Sequence, residues 1–439
     1  MAQQEKMKLA LTGDSIITRR VGINLDDQTR GLIELLTDTD VSFTNLEVLP
    51  NDFAGYPAVE SGGSHFAAHQ WVMDDLTDMG FNLFSCANNH SLDYSIEGLM
   101  AMIDVLDERG ILYSGVGENL ASSRMPVYLD TPAGSVGMIS CSSTFHSGQE
   151  AGEQRPDMQG RPGLNPLHYE TTYHVTQAQY DAIRDVSLGL GLEQQRLERI
   201  QLGFSFPPDD PDVLPFLEGN FKVGPETRVE TNPKEKDVLA MEKWVRDARR
   251  RSDLVIVSLH AHEQLADDKE QPADFIKAFA YRMIDAGANM VVGHGPHLIR
   301  GIEIYNGKPI FYSLGNFIGQ NELVWRLPSD SYEKFRVDSD ETPAIVYDTR
   351  YSGDTKGFPA DFRYWETIMP LLEFDGTNVT GIQIVPISLA LGPKAHRRGK
   401  PEIATGDVAD RVLARLQKLS GEVGTTMRIE GERGFVDLG

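Results

Sequence analysis

Five apolar runs of this chain each end in residues that could bind a metal ion. The runs are LALTGD, VSFTNLE, LFSCANNH, VIVSLH and MVVGHGPH, and the polar residues that close them are Asp14, Asn45, Glu47, Asn88, Asn89, His90, His260, His262, His294 and His297. A single polar ending has an ordinary explanation, because Asp and Asn are common at helix N-caps. Five endings that combine carboxylate, amide and imidazole groups predict a metal site instead.

The spacing of the later histidines allows several imidazoles to reach one ion. His294 and His297 are separated by Gly-Pro, so a single turn can direct both rings to one point, where either could bind metal while the other exchanges protons. His260 and His262 are two residues apart and share a face in an extended segment. His260 is nearer the apolar run and is our first choice of ligand, which leaves His262 as a candidate for contacting substrate.

The ligand types favour a divalent cation. Carboxylate, amide oxygen and imidazole groups suit Mn, Zn, Fe, Mg or Ca, whereas the thiolates that favour a structural zinc are lacking. The two cysteines, Cys86 and Cys141, both lie in apolar runs. We therefore expect neither a disulfide framework nor a nucleophilic cysteine.

An α/β sheet is the element that must position these ligands. The first 145 residues alternate short apolar runs with amphipathic stretches, and the alternation resumes at LVIVSLH. Such alternation predicts parallel neighbours, whose carboxyl ends meet at one edge of the sheet. We predict helices over 67–79, 96–109 and 275–286, and hairpin turns at Asn306-Gly307 and Asp375-Gly376.

Two segments interrupt the alternation. The stretch 147–251 holds a long helix predicted over 177–201 and a Pro-rich segment, and we interpret it as an inserted lid or specificity subdomain. Its RPGLNP segment carries Arg161, which could meet a substrate carboxylate. We predict a catalytic domain over 7–390, a second insert over 319–364, and a C-terminal helical extension over 391–439 with a closing helix near 408–419.

The charge of the chain limits its partners. The 439 residues include 41 Lys and Arg against 65 Asp and Glu, which gives a net charge of −24. This field repels nucleic-acid backbones and anionic lipid, so we expect a small-molecule or peptide substrate and no nucleic-acid or membrane partner. No apolar run approaches the roughly 18 residues that a membrane span needs, and we expect a cytoplasmic protein without a signal peptide.

The chain resembles the CapA-type poly-γ-glutamate synthesis proteins of the calcineurin-like metallophosphoesterase superfamily. The resemblance lies in TGDSI, TNLE, ANNHSLDY, SGVGENLASSRMP, VIVSLH and VVGHGPHLIRGIEIYNGKPIFYSLGNF, and it covers 7–142, 253–317 and the strands to about 386. It implies a four-layer αββα sandwich with the metal site at one sheet edge. The metal-site residues that it implies are Asp14, Glu47, Asn89, His260, His294 and His297. His90 would then be the catalytic acid, oriented by Asp93.

The sequence departs from the dinuclear phosphatase pattern at its first two motifs. The first motif of those enzymes is Asp-x-His, and position 16 here is Ile; the second is built on aspartate, and here it is Asn45-Leu-Glu47. These changes remove some of the ligands that would hold a second metal ion. We therefore expect one metal ion rather than two.

Three functions agree with these residues. The first is a metal-dependent hydrolase that acts on a peptide-like amide, such as a γ-glutamyl bond, or on a phosphoester, with His90 protonating the leaving group. The second is a metal-containing peptide epimerase in which Asp14 and His297 or His294 act as base and acid on opposite sides of a Cα atom. The third is a non-catalytic protein of poly-γ-glutamate biosynthesis.

Overall fold

Two sheets and their flanking helices form the body of the computed structural model, which describes residues 6–22, 25–392 and 395–438. Within these residues the strands are, in chain order, β1 Met7–Ile16, β2 Val41–Leu46, β3 Leu83–Ser85, β4 Tyr113–Ser114, β5 Val116–Gly117, β6 Val127–Thr131, β7 Gly134–Ser142, β8 Gly163–Leu164, β9 Tyr169–Val175, β10 Leu214–Phe216, β11 Gly219–Val223, β12 Arg228–Pro233, β13 Leu254–His260, β14 Gln264–Leu265, β15 Asp268–Pro272, β16 Met290–His294, β17 Ile302–Tyr305, β18 Lys308–Phe311, β19 Asn316–Gly319, β20 Glu366–Asp375, β21 Asn378–Ser388, β22 Glu402–Ile403, β23 Met427–Glu430 and β24 Arg433–Val436.

The α-helices alternate with the strands in the first and third quarters of the chain. In the described residues they are α1 Asp27–Thr37, α2 Trp71–Asp78, α3 Ser95–Glu108, α4 Leu120–Ser123, α5 Gln177–Gly189, α6 Leu192–Gln201, α7 Glu235–Arg251, α8 Asp274–Ala286, α9 Ser329–Phe335, α10 Pro343–Tyr351 and α11 Gly406–Glu422. Short 3₁₀ helices occupy Asn321–Leu323, Phe358–Ala360 and Phe362–Tyr364. None of the helices in the described part of the chain is both long and apolar enough to cross a lipid bilayer.

Both large sheets are parallel where the candidate ligands lie. In the first sheet, β1 pairs in parallel with β2 and β19, and β2 pairs in parallel with β3. In the second sheet, β13 pairs in parallel with β7 and β16. The two predicted hairpins are confirmed, since β17 pairs with β18 and β20 with β21 in antiparallel fashion. Asn306 and Gly307 both have positive φ angles, 51° and 70°, as a tight primed turn requires.

Alternate residues of the central strands face different cores. Leu9 of β1 and Ile256 of β13 belong to one apolar core between the two sheets. Ala10, the next residue of β1, faces a core with helices α1, α2 and α3, and Val255 of β13 faces a core with α7 and α8. The order of layers is therefore helix, sheet, sheet, helix, because each strand buries both of its faces. The predicted four-layer α/β sandwich is confirmed.

Three local features differ from the sequence predictions. The single helix predicted over 177–201 is two helices, because Gly191 has a φ angle of 73°, in which a right-handed helix cannot continue. Helix α2 begins at Trp71 rather than at residue 67, because Ala67 bridges to Leu49. The C-terminal extension over 391–439 contains α11 and also the β23–β24 hairpin, which lengthens the first sheet through β21.

The segment predicted as an insert, 147–251, has two structurally different parts. Strands β9 to β12 form a separate four-stranded sheet that carries α5 and α6. Helix α7 instead packs on the second large sheet, with Val238, Met241 and Val245 in the same core as β13. The segment 319–364 folds into α9, α10 and the 3₁₀ helices. The division of the chain into domains stays a prediction.

Candidate metal centre

The strand register places the predicted ligands at one edge of the two sheets. Asp14 of β1 is paired with Asn45 of β2 and with Asn316 of β19. In the second sheet, His260 of β13 is paired with His294 of β16. All of these side chains are buried, and the two sheets meet where Nδ1 of His260 lies 3.8 Å from Oδ1 of Asp14.

Asp14 lies at the centre of this cluster. Its Oδ1 accepts a hydrogen bond from the Asn45 amide (2.8 Å), and its Oδ2 accepts one from the backbone N–H of Gly295 (3.0 Å). The Nδ1 atoms of His294 and His297 lie 3.5 and 3.4 Å from its two oxygens. Burial by itself would raise the pKa of Asp14, but hydrogen bonds with His294 and His297 hold that pKa well below its ordinary value. Asp14 is therefore ionised at neutral pH.

Glu47 is a buried carboxylate without a hydrogen-bond donor. Neither of its oxygens has a hydrogen-bond partner among the described residues. Its Oε1 lies 3.9 Å from Nε2 of both His90 and His260, and its Oε2 lies 3.9 Å from Nδ1 of His297. Burial and then the charge of Asp14 raise the pKa of Glu47 well above its ordinary value. A buried carboxylate in this state calls for a neutralising partner, and a cation supplies one.

Three imidazoles form a line beside the carboxylates. Nδ1 of His260 lies 3.0 Å from Nδ1 of His294, and Nε2 of His260 lies 3.0 Å from Nε2 of His262. The remaining nitrogen of His294 is 2.7 Å from the Ser258 hydroxyl. Burial, followed by the neighbouring imidazoles, lowers the pKa of His260 and of His262 well below the ordinary value. Both rings are therefore neutral at pH 7, which is the form that binds metals.

His297 approaches the cluster from the loop after β16. Its φ angle is 61°, a left-handed conformation that turns the chain back toward Asp14. Its Nδ1 lies 2.8 Å from Oδ1 of Asn316, and its ring packs edge-on against Phe358 with a centroid distance of 5.3 Å. The Gly-Pro spacing therefore brings both histidines of this turn to Asp14, as predicted.

His90 and Asp93 form a buried pair next to Glu47. Nδ1 of His90 donates to Oδ2 of Asp93 at 2.7 Å, and the same oxygen accepts the backbone N–H of Phe66 at 2.6 Å. The Phe66 ring lies over the imidazole, with centroids 4.2 Å apart. These contacts fix the His90 ring and leave its Nε2 facing Glu47.

A glycine segment, residues 61–64, covers the side of the cluster that is formed by Asn89 and His90. A Cβ atom on Gly62 would lie 2.1 Å from Nδ2 of Asn89 and 2.7 Å from Nε2 of His90, so only glycine fits there without displacement. The carbonyl oxygen of the Asn89 side chain is buried and has no hydrogen-bond partner in the described part of the chain. Asn89 thus adds a third unpaired oxygen to the two of Glu47.

The donor set fits a divalent metal ion. Ligand atoms within 4.8 Å of one another come from three overlapping groups, which are Asp14 with His260 and His294, Glu47 with His260 and His262, and Asp14 with Glu47 and His297. The unpaired oxygens of Glu47 and Asn89 and the facing imidazole nitrogens are the features that a cation would satisfy. The cluster can therefore hold a metal ion.

The structure brings most of the predicted site residues together. The metal candidates Asp14, Glu47, Asn89, His260, His294 and His297 form one cluster with His90, Asp93 and His262. Arg161 is not among them. Its guanidinium binds the Glu150 backbone oxygen (2.9 Å) and carboxylate (3.2 Å), in a surface pocket that also contains His168 and Asp237. None of the metal-cluster residues lines that pocket.

Several residues that position the cluster were not predicted from the sequence. Ser258 had a detectable signal, because it is a polar residue in an apolar strand, two residues before His260 and thus on the same face. Asn316 had a weaker one, at the end of the run FYSLGN. Arg300 had none: it is fully buried and donates to the backbone oxygens of His262 (3.2 Å) and Glu263 (3.0 Å), which fixes the loop that carries His262.

The four-layer sandwich and the carboxylate–histidine cluster at its sheet edge define a metallophosphoesterase-like protein. Residues 8–321 match the family described as bacterial capsule synthesis protein PGA_cap. The match covers more than half of the chain, so the chain belongs to this family, and the resemblance to the CapA-type proteins is confirmed.

The chain is similar to proteins from several bacteria. It is 32% identical to the uncharacterized protein y4sH of Sinorhizobium fredii over 444 residues, which covers 98% of this chain and 93% of that protein. It is 24% identical to the capsule biosynthesis protein CapA of Bacillus anthracis, over 72% of this chain and 60% of that protein. It is also 24% identical to the PGA biosynthesis protein CapA of Bacillus subtilis, over 58% and 47%.

Proposed function

We propose that this protein is a metal-dependent hydrolase that cleaves a peptide-like amide bond. The observation that carries the proposal is the Glu47 carboxylate, buried without a donor, beside the hydrogen-bonded His90–Asp93 pair. Metal-assisted hydrolysis needs a cation site and an oriented proton donor, and here the two lie side by side.

The ligands would come from both sheets. Asp14 and Glu47 supply carboxylates, Asn89 an amide oxygen, and His260, His294 and His297 supply imidazoles. A metal ion held there would polarise the scissile carbonyl and lower the pKa of a bound water molecule. The absence of a histidine at position 16 agrees with one ion rather than two.

His90 is the proton donor in this proposal. The carboxylate of Asp93 accepts from Nδ1, so Nε2 is the nitrogen that would take a proton from the attacking water and then pass it to the leaving nitrogen. The backbone N–H of Phe66 holds Asp93, and the Phe66 ring restricts the imidazole. His90 thus needs no reorientation when the leaving nitrogen departs.

An amide is the bond that we favour, and a γ-glutamyl amide is our first choice. The support comes from the relatives, two of which are named for capsule or PGA biosynthesis. A phosphoester is the alternative that the metallophosphoesterase-like fold supports. Assays of one preparation on amide and phosphoester substrates distinguish these two bond types.

The geometry does not favour the epimerase hypothesis. In that hypothesis Asp14 and either His297 or His294 act from opposite sides of a Cα atom. Here the Nδ1 atoms of His297 and His294 lie 3.4 and 3.5 Å from the oxygens of Asp14, so no atom fits between either pair unless the side chains separate. Deuterium uptake from D₂O into peptide Cα positions is the measurement that tests it.

Metal content and turnover of one preparation test the proposal. The protein, purified without chelator or added metal, would be analysed by mass spectrometry and assayed on γ-glutamyl peptides, p-nitrophenyl phosphate and bis(p-nitrophenyl) phosphate. We expect bound metal and metal-dependent amide cleavage. Asp14→Asn should lower both metal content and turnover, whereas His90→Gln should keep the metal and lose most turnover. Metal without any cleavage would contradict the hydrolase, and no metal under any condition would contradict the site.

A further inference from the structure

The helix pair α5–α6 leaves its large apolar side chains in solvent. Half of the large hydrophobic side chains that are exposed in the described residues lie between 173 and 229, although this stretch is about one eighth of the chain. Seven of them belong to the helix pair and the turn that follows it. These seven, which we call the α5–α6 surface, are Val186, Leu188, Leu190, Leu197, Leu202, Phe204 and Phe206.

Few buried residues hold the two helices on the protein. Within the described residues, α6 has no buried residue, and α5 buries Ser187 alone. Helix α5 packs on α6 and on strands β10 and β11, and this packing leaves Leu190 and Leu197 exposed. A surface helix of a globular protein normally turns its apolar side chains toward a neighbouring element. The α5–α6 surface therefore lacks the covering that its composition calls for.

The area of this surface corresponds to one side of a stable protein interface. The exposed fractions of the seven residues run from 46% for Leu197 to 87% for Phe206. At about 150–250 Å² for a fully exposed large side chain, they leave on the order of 800 Å² accessible. The largest apolar patch of a typical monomer is about 300–600 Å², whereas each partner in a standard interface buries about 800 Å². The surface is thus larger than a monomer usually exposes and large enough for a stable complex.

The helix pair is nearly neutral, although the chain is strongly acidic. Residues 177–206 carry four acidic and three basic side chains, a net charge of −1, against −24 for the whole chain. Two of the arginines are paired within their own helices, because Arg196 binds both carboxylate oxygens of Glu193 at 2.8 Å and Arg184 lies 3.6 Å from Asp181. Two copies of so acidic a chain repel each other, and this repulsion is weak where the helix pairs meet.

The charges around the surface do not suit a lipid bilayer. Helices that lie on membranes carry Lys and Arg on their polar face, where they meet anionic headgroups. Here the arginines are balanced by carboxylates, and Asp209, Asp210 and Asp212 follow the surface directly. A strongly charged protein partner is not favoured either, since the arginines Arg184 and Arg196 already have carboxylate partners. An equally neutral, apolar surface is the partner that fits.

We propose that two copies of this chain associate through the α5–α6 surface, in a two-fold arrangement to which each copy contributes α5 and α6. A two-fold interface places the same surface on both sides, so one apolar and nearly neutral surface is sufficient to form it. The inserted sheet and its helices then have a role in assembly. The proposal does not depend on which bond is cleaved, because none of the metal-cluster residues lies between 173 and 229.

Sedimentation velocity of the full chain tests the association. Over about 1–100 µM we expect a monomer–dimer equilibrium with a Kd of about 10 µM or below, within the range of interfaces of this size. Leu190→Glu and Leu197→Glu should each raise the Kd by about tenfold or more, because each puts two carboxylates into an apolar interface. Leu239→Glu is the matched control, since Leu239 is an exposed leucine of α7, and this variant should dimerise as the wild type does.

Thiol reactivity tests the same surface without an added charge. Cys86 and Cys141 are buried, so Leu190→Cys supplies a thiol that a maleimide can reach. Its rate of reaction should fall several-fold between the lowest and the highest protein concentration. Leu239→Cys should react at the same rate throughout. This measurement keeps the proposal open to refutation if a glutamate variant does not fold.

Four results would overturn the proposal. The first is a wild-type protein that stays monomeric over the whole concentration range. The second is a dimer that forms equally well in Leu190→Glu and Leu197→Glu, which would place the interface elsewhere. The third is an equal loss of association in Leu239→Glu, which would show that added charge acts without regard to position. The fourth is a monomer that binds vesicles of phosphatidylglycerol and phosphatidylcholine and loses this binding in Leu190→Glu, which would assign the surface to lipid.

Discussion

The hydroxyl of Ser258 lies 2.7 Å from Nε2 of His294, on the neighbouring strand of the second sheet. This contact occupies one nitrogen of the ring and turns the other toward Asp14 and His260. Both residues are completely buried, so the orientation is set inside the protein rather than by solvent. Partners of this kind decide which nitrogen of a histidine binds a metal.

Removal of this hydroxyl should weaken metal binding. We expect Ser258→Ala to lower metal affinity by about 10–100-fold, the effect usual for a lost partner of a histidine ligand. Competition with a fluorescent chelator measures the affinity. Ser140→Ala is the control, because Ser140 lies directly opposite Ser258 on β7, and its buried hydroxyl has no hydrogen-bond partner within the described residues. An equal loss in both variants would contradict the specific role of Ser258.

The alternation of the sequence predicted an α/β sheet, and the family resemblance implied the four layers. Parallel strands of one sheet end at a common edge, so Asp14 and Asn45 in the first sheet, and His260 and His294 in the second, had to converge. The spacing of His294 and His297 predicted that both rings reach one point. These features are local in sequence, and the packing of the two sheets turns them into one site.

Other parts of the site depend on contacts that leave no local pattern. Arg350 reaches the glycine segment through a hydrogen bond to Ser64 across 286 positions of the chain. Arg161 was predicted to meet a substrate carboxylate, yet its guanidinium binds Glu150 in another pocket. The break between α5 and α6 depends on a single φ angle at Gly191. Such features follow from tertiary packing rather than from periodicity.

Gly13 should be essential for the position of Asp14. A Cβ atom at residue 13 would lie 1.8 Å from the backbone oxygen of Gly315, which also accepts the Asp14 N–H at 3.0 Å. We expect Gly13→Ala to lower the free energy of unfolding by about 1–3 kcal/mol, the cost of overpacking, and to reduce metal content. Urea denaturation and metal analysis measure the two effects. Gly189→Ala is the control, since nothing lies within 4 Å of its Cβ position, and a comparable loss there would contradict the steric explanation.

Glu47 should destabilise the metal-free protein. Burial and the charge of Asp14 raise its pKa, so the folded state holds a proton on Glu47 more tightly than the unfolded state does. The stability that this proton gives is present at low pH and is lost as pH rises through the folded-state pKa. We expect Glu47→Gln to stabilise the chelator-treated protein by about 1–3 kcal/mol at pH 8, with a smaller gain at lower pH.

Metal should reverse the order of stability. Added metal should raise the unfolding midpoint of the wild type more than that of Glu47→Gln, because the variant has lost a charged ligand. Thermal unfolding with and without metal measures both effects. Glu366→Gln is the control. Glu366 is a buried glutamate that is ion-paired with Arg411, so replacing it should destabilise the protein. A metal-free Glu47→Gln protein that is less stable than wild type at pH 8 would contradict this account.

Asp237 should stabilise the junction between α7 and the inserted sheet. It is buried, and its carboxylate binds Arg124 and His168, each at 2.6 Å. Burial by itself would raise its pKa, but the bonds with His168 and the charge of Arg124 hold that pKa below its ordinary value. The carboxylate therefore contributes stability above the unfolded-state pKa, and this contribution is lost as pH falls through the folded-state pKa.

Asp237→Asn should leave Arg124 buried without its counter-charge. We expect a loss of about 3–5 kcal/mol of unfolding free energy at pH 7, the usual cost of breaking a buried ion pair. The difference from wild type should shrink as pH falls below about 4, because the unfolded wild-type chain then takes up a proton on Asp237, whose pKa is lower in the folded state. Urea denaturation at pH 7, 5 and 3.5 measures this trend. Asp247→Asn, on the same helix, breaks only an exposed pair with Arg251 and should change stability by less than about 1 kcal/mol. A pH-independent difference for Asp237→Asn would show that packing, not charge, holds this junction.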